Sequence, residues 1–130
     1  MIGLDTNILA RFFAQDDLAQ ARKSEEFLQT LTLESPGFVS VVSLAELIWV
    51  LRSRCRMSRG QLVQCIEHLL DSPELTVEAP KAVAEALARF ANSKVDFADC
   101  LIERCGHIAG CRETVTFDQD AARFAGMRLL

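Results

Sequence analysis

The sequence predicts an α/β protein: one layered domain over residues 1–130, in which a parallel sheet is covered by helices on both faces. Three observations carry this. Short β-like runs alternate with helical patterns, as successive βαβ units require. Turn signals such as Ser35-Pro36-Gly37 and Asp71-Ser72-Pro73 fall between those segments. No repeat, linker or low-complexity stretch divides the chain.

The opening Met1-Ile2-Gly3-Leu4 reads as a strand so short that it belongs in the middle of a sheet, and it ends on Asp5. The helical pattern Ile8 to Phe13 begins at once. In open α/β sheets ligands bind outside the carboxyl ends of strands, which gives Asp5 a functional position. Helix capping by Asp5 or Asn7 explains the same residues without a function. A second helical pattern runs from Asp16 to about Leu31, with acids suited to its N-terminal dipole. Phe38 to Val41 reads as a strand. Helices follow over about Ser43 to Cys55 and Ser58 to Leu70, with Ser58 as N-cap. Leu75-Thr76-Val77 is a brief strand, and Pro80 opens a helix to about Ala91. Asp96 to about Ala109 is helical, closed by Gly110. Glu113 to Phe117 is a strand, Asp120 to Ala125 a short helix capped by Asp120, and Met127 to Leu130 an edge strand.

A chain of 130 residues buries roughly two-thirds of the surface it exposes unfolded. It contains no apolar run of about 18 residues, so no membrane span is expected. The acidic start lacks the basic region of a signal peptide, which points to the cytosol. Cys55, Cys65, Cys100, Cys105 and Cys111 form no pair with the two-residue spacing of zinc or redox motifs, and are expected as buried or partly buried free thiols. His68 and His107 are badly spaced for zinc and read as surface or satisfied residues. A net charge of −4 disfavours nucleic-acid binding by bulk electrostatics. Arg52, Arg54, Arg56 and Arg59 nevertheless form a local basic cluster, which serves equally as a solvated helix end.

Glu46 lies in Leu44-Ala45-Glu46-Leu47-Ile48-Trp49-Val50-Leu51, and a helix apolar all round is a buried one. An unpaired buried carboxylate is costly, so Glu46 needs a cation such as Arg11 or Arg52, a donor, or a place at the rim. Asp96 and Asp99 share one face of a helix start. Asp96 suits a cap, whereas Asp99 lies one turn in. Asp118 follows a strand. Asp5, Glu46, Asp99 and Asp118 are thus expected to reach one crevice at the carboxyl edge of the sheet. Two carboxylates about 4 Å apart repel by about 4 kcal/mol at an effective dielectric of about 20, so such a group needs cations or shifted protonation. Hard oxygen ligands select Mg²⁺ or Mn²⁺, ions that orient and polarise a phosphodiester and activate water. No convincing Ser-His-Asp or Cys-His set competes.

Four stretches carry a resemblance: Leu4-Asp5-Thr6-Asn7, Ser43-Leu44-Ala45-Glu46-Leu47, Asp96-Phe97-Ala98-Asp99-Cys100-Leu101-Ile102 and Thr116-Phe117-Asp118. In this order and over nearly the whole chain, they resemble PIN-domain ribonucleases, in particular the VapC-type toxins of toxin–antitoxin pairs. Cys100 stands where alanine is commoner. The resemblance implies a three-layer α/β/α domain with a central parallel sheet of about five short strands. It implies a divalent-metal endoribonuclease that leaves a 5′-phosphate, with Asp5, Glu46, Asp99 and Asp118 as catalytic metal ligands and Asp96 as an accessory acid. Asn7 and Thr116 become polar support near the metal or scissile phosphate, and Arg52 and Arg54 RNA contacts. It also implies a homodimer and a small antitoxin partner, for which Ile8, Phe12, Phe13 and Trp49 suit the contact, although each reads equally as core.

Two rival readings remain at this level. A haloacid-dehalogenase-type phosphatase uses a strand-end aspartate but wants a second aspartate where this chain has Asn7. A PIN-like binding module without catalysis needs none of the four acids.

Overall fold

The computed structural model describes residues 1–130, and its α/β fold has parallel strands and seven helices. It divides into two compact units, Met1–Glu78 and Ala79–Leu130.

The first unit contains β1 (Ile2–Gly3), α1 (Thr6–Ala14), α2 (Leu18–Leu28), β2 (Gly37–Val39), α3 (Val41–Ser53), α4 (Arg59–Asp71) and β3 (Leu75–Val77). Its strands pair in parallel in the order β1-β2-β3, with Ile2 opposite Gly37 and Val39 opposite Val77. Gly37 is required by close approach: a β-carbon there would lie 2.8 Å from Leu31 and 2.9 Å from Leu4. Leu9, Val39, Leu44, Leu47, Leu51 and Ile66 are fully buried and form the centre of its core. The opening strand corrects the sequence expectation. It is the edge of the three-stranded ladder, not its middle, and Ile2 and Gly3 are exposed.

Helix starts in this unit follow capping more closely than side-chain propensity. Val41 and Val42 have strand-favouring β-branched side chains, yet they open α3 because Ser40 Oγ accepts from the Ser43 N–H. Ser58 and Gln61 form a reciprocal capping box at α4, satisfying two backbone donors that the helix leaves unpaired. Asp17 caps α2 by accepting from the Gln20 N–H.

The second unit contains α5 (Pro80–Ala91), α6 (Phe97–Ile108), β4 (Val115–Thr116), α7 (Gln119–Phe124) and β5 (Arg128–Leu129). The last two strands pair in parallel, Val115 with Arg128 and Thr116 with Leu129. The five expected strands are therefore present in ladders of three and two. Phe90 of α5 meets Phe97 of α6 edge to face at 5.7 Å, within a core that includes Val83, Ala86 and Leu101. Pro80 begins α5 and Gly110, at φ 94°, follows α6. No helix is long and apolar enough to cross a membrane.

Candidate active site

In the first unit, Asp5 occupies the N-cap position of α1, with extended backbone, but its side chain makes no capping bond. Its Oδ2 instead accepts from Asn7 Nδ2 at 3.2 Å. Thr6, the next residue, is buried, and a buried hydroxyl requires a partner. It donates to Glu46 Oε2 at 3.3 Å. Ser43 Oγ donates to the Leu4 carbonyl at 3.3 Å. Two side-chain bonds thus tie the end of β1 and the start of α1 to the first turns of α3. Arg11, expected as a partner for Glu46, holds Asp16 at 2.9 Å.

The environment of Glu46 overturns the expectation of an all-round buried helix. Glu46 is exposed, and so are Val42 (73%) and Trp49 (59%), which share its helix face one turn before and one turn after it. Hydrophobic composition misled here because Leu44, Leu47, Ile48 and Leu51 alone supply the buried face. Ile8, Phe12 and Phe13 are half-buried, and the Phe12 ring stacks on His68 at 5.8 Å. His107 is exposed.

A groove along α1 and α2 is lined by Asn7, Ile8, Arg11, Gln20, Lys23 and Ser24. The sequence reading gave no role to Thr6 or Lys23, and placed Arg11 only as a partner for Glu46. Thr6 was legible as a polar residue forced inward at the first helical position. Arg11 and Lys23 lie on separate helices, so no local pattern connects them.

In the second unit, Asp96 takes the N-cap position of α6 without a side-chain capping bond, and Asp99 lies half-buried in its first turn. Burial first, and then the neighbouring charges of Asp96 and Asp118, push the Asp99 carboxyl above its ordinary range. Asp118 caps α7, its Oδ1 accepting from the Ala121 N–H at 2.8 Å. This corrects the assignment of that cap to Asp120. The Asp118 N–H donates to Thr116 Oγ1 at 3.0 Å.

A part-buried ionic network braces the elements that carry these acids. Glu103, one turn beyond Asp99 on α6, accepts from Arg104 Nε and Nη2 and from Arg89 Nη1 of α5. Arg104 also reaches Glu85 at 3.1 Å, and Arg89 Nη1 donates to the carbonyl of Ala125, the C-cap of α7. The Arg104 guanidinium is the main cause that holds the Glu103 carboxyl below its usual range. Arg89 therefore contacts both α6 and the end of α7.

Arg52 lies in the last turn of α3 and Arg54 is its C-cap, the Arg54 guanidinium lying 5.9 Å from the centre of the Trp49 ring. Arg56 follows in the left-handed region at φ 52°. All three are exposed. The cysteines are free thiols, with Cys65 and Cys100 buried. Burial pushes the Cys65 thiol up. Cys111 is exposed, contrary to expectation.

The donor chemistry of these acids fits a hard divalent cation. Every candidate ligand is a carboxylate, and the neighbouring charges of Asp96 and Asp118, which add to burial in raising Asp99, are of the kind a cation relieves. In neither unit do three acidic, histidine or cysteine side chains stand close enough to form a ready-made ligand cluster.

Comparison with known protein families adds one finding. Residues 2–127 match the family profile described as PIN domain. No curated protein matches the chain.

Proposed function

The chain belongs to the PIN-domain family, whose members are typically metal-dependent nucleases, and on that premise we propose that it is a Mg²⁺- or Mn²⁺-dependent endoribonuclease acting as the toxin of a toxin–antitoxin pair. Asp5, Glu46, Asp99 and Asp118 hold the metal, with Asp96 as an accessory acid. When bound, the ion polarises the scissile phosphodiester and lowers the pKa of an attacking water. The Asn7 amide fixes Asp5, and the Thr6 hydroxyl fixes Glu46. Asn7 and Thr116 stand by as polar contacts for RNA, and Arg52 and Arg54 meet its phosphates. Nucleophilic side chains are not required. A homodimer and a small antitoxin complete the assembly.

The observation that carries this reading is the state of Asp99. A half-buried aspartate that faces two further acids is costly for the fold, and perturbed carboxylates of this kind concentrate at functional sites. The test is cleavage of single-stranded RNA by purified chain with Mg²⁺. Asp5→Asn and Asp99→Asn are expected to abolish it nearly completely while circular dichroism stays unchanged. Cleavage at the wild-type rate by both variants refutes the nuclease. Expression of the wild type alone should arrest growth and expression of the variants should not; equal toxicity removes the toxin role.

A further inference from the structure

We propose that Trp49, flanked by Arg52, Arg54 and Arg56, is a stacking platform for an unpaired base of single-stranded RNA. This deepens the nuclease reading and rests on it for the identity of the strand.

The exposure of Trp49 is the first observation. More than half of this residue meets solvent, although its helix buries four large apolar side chains on the opposite face. Tryptophan is a residue type enriched at interaction surfaces, where its ring supplies contact area at little entropic cost. The second observation is the character of its surroundings. The exposed face reads Val42, Glu46, Trp49, Ser53, alternating apolar with polar, so it offers no continuous stripe to an apolar helix. Beyond Trp49 the helix ends in exposed arginines, within a chain whose net charge is −4. Four of the chain's fourteen basic residues fall between positions 52 and 59, just beyond the aromatic ring in the chain, and Arg54 touches it. An aromatic ring for the base and guanidinium groups for the phosphates are the two parts of a single-strand site.

The third observation is the guanidinium of Arg54, 5.9 Å from the ring centre. It lies over one face of the indole as a cation–π contact, so a base stacks on the other face of the ring or takes the place of the guanidinium. Glu46 lies three positions earlier on the same face, about one helical turn or roughly 5 Å along the axis. A base held on Trp49 therefore belongs to a nucleotide near the one whose phosphate would meet the metal that Glu46 helps to hold. Duplex RNA has its bases already stacked, so the platform discriminates for unpaired strands.

The chain has one tryptophan and no tyrosine, so its emission reports on Trp49 alone. The experiment titrates the whole protein in EDTA with a single-stranded RNA oligonucleotide and, separately, with its duplex. Saturable quenching by the single strand and little by the duplex is expected. By polarisation of labelled RNA, Trp49→Ala should bind about 5- to 140-fold more weakly, the range that base–aromatic stacking spans. Trp49→Phe should restore most of that loss, and Arg54→Met should weaken binding and flatten its salt dependence. Emission unmoved by saturating RNA overturns the platform, even if Trp49→Ala fails to fold. Emission that shifts instead with protein concentration, together with loss of a dimer in Trp49→Phe, assigns the face to a second copy and also overturns it. Quenching by a preparation that does not cleave RNA with Mg²⁺ supports the platform and removes the nuclease. Cleavage without quenching does the reverse.

Discussion

Thr6 donates its hydroxyl to Glu46 across forty residues of chain, from the first position of α1 to the middle of α3. The donor is buried and the acceptor exposed, so the bond aims a solvent-facing carboxylate from a fixed point. Thr6→Val keeps the shape and removes the donor. Water can replace the donor at Glu46, so unfolding free energy should change by less than about 1 kcal/mol. A hydrogen bond to a charged group at this length and exposure contributes about 1 kcal/mol, so kcat/KM for RNA should fall about fivefold. Thr6→Ser should retain wild-type kinetics.

Asp99 sets function against stability. Its folded pKa is raised, so the folded chain binds the proton more tightly than the unfolded chain does. The carboxylate's penalty is absent below the ordinary value of 3.8 and develops as pH rises through the raised one. Asp99→Asn should therefore be more stable than wild type at pH 7 without metal, and the difference should vanish in acid. Denaturant midpoints across pH check this; an Asn variant less stable at pH 7 contradicts it.

Asp118 separates its two roles through chemistry. Asparagine caps a helix as well as aspartate does, so Asp118→Asn should preserve the bond from the Ala121 N–H while cleavage is lost. Asp118→Ala should lose cleavage and about 0.5–2 kcal/mol as well. Thermal melts of the two variants, side by side, measure the cap.

Added Mg²⁺ or Mn²⁺ should raise the melting temperature of the wild type, because an ion that binds only the folded state stabilises it by mass action. EDTA should reverse the rise, and Asp99→Asn should show little of it. A melting temperature that does not respond to millimolar-range metal counts against these carboxylates as ligands.

Glu103 contributes stability through its two arginines. Its pKa is lowered in the fold, so this stabilisation is present above the ordinary value of 4.5 and is lost as pH falls through the depressed one. Glu103→Leu leaves Arg89 without its carboxylate and Arg104 with Glu85 alone, in a part-buried setting, and should cost about 1–3 kcal/mol. Chemical denaturation at pH 7 gives the figure.

Much of the architecture was legible in local chemistry. Pro80 at the first turn, Ser58 with Gln61 and Gly110 after α6 place helix ends because each relieves a specific backbone cost. Legibility failed where two residues of the same kind compete. Ser40 and Ser43 both suit a cap, and Asp118 and Asp120 likewise. The choice is decided by which backbone N–H each side chain reaches in the folded chain. The candidate acids were legible as residues at element ends, but their surroundings were not. Nothing local to Glu46 announces Thr6, and nothing in an apolar run tells Leu47, fully buried, from Trp49, turned to solvent.

The ionic group of Arg89, Glu103 and Arg104 restricts how this sequence can drift over time. Losing Glu103 leaves Arg89 without its carboxylate, whereas exchanging the whole set for well-packed apolar side chains need not weaken the protein. Descendant sequences should then hold the set intact or abandon it in concert. Gly126, at φ 81°, stays glycine whatever becomes of the set, because its backbone conformation strains any other residue.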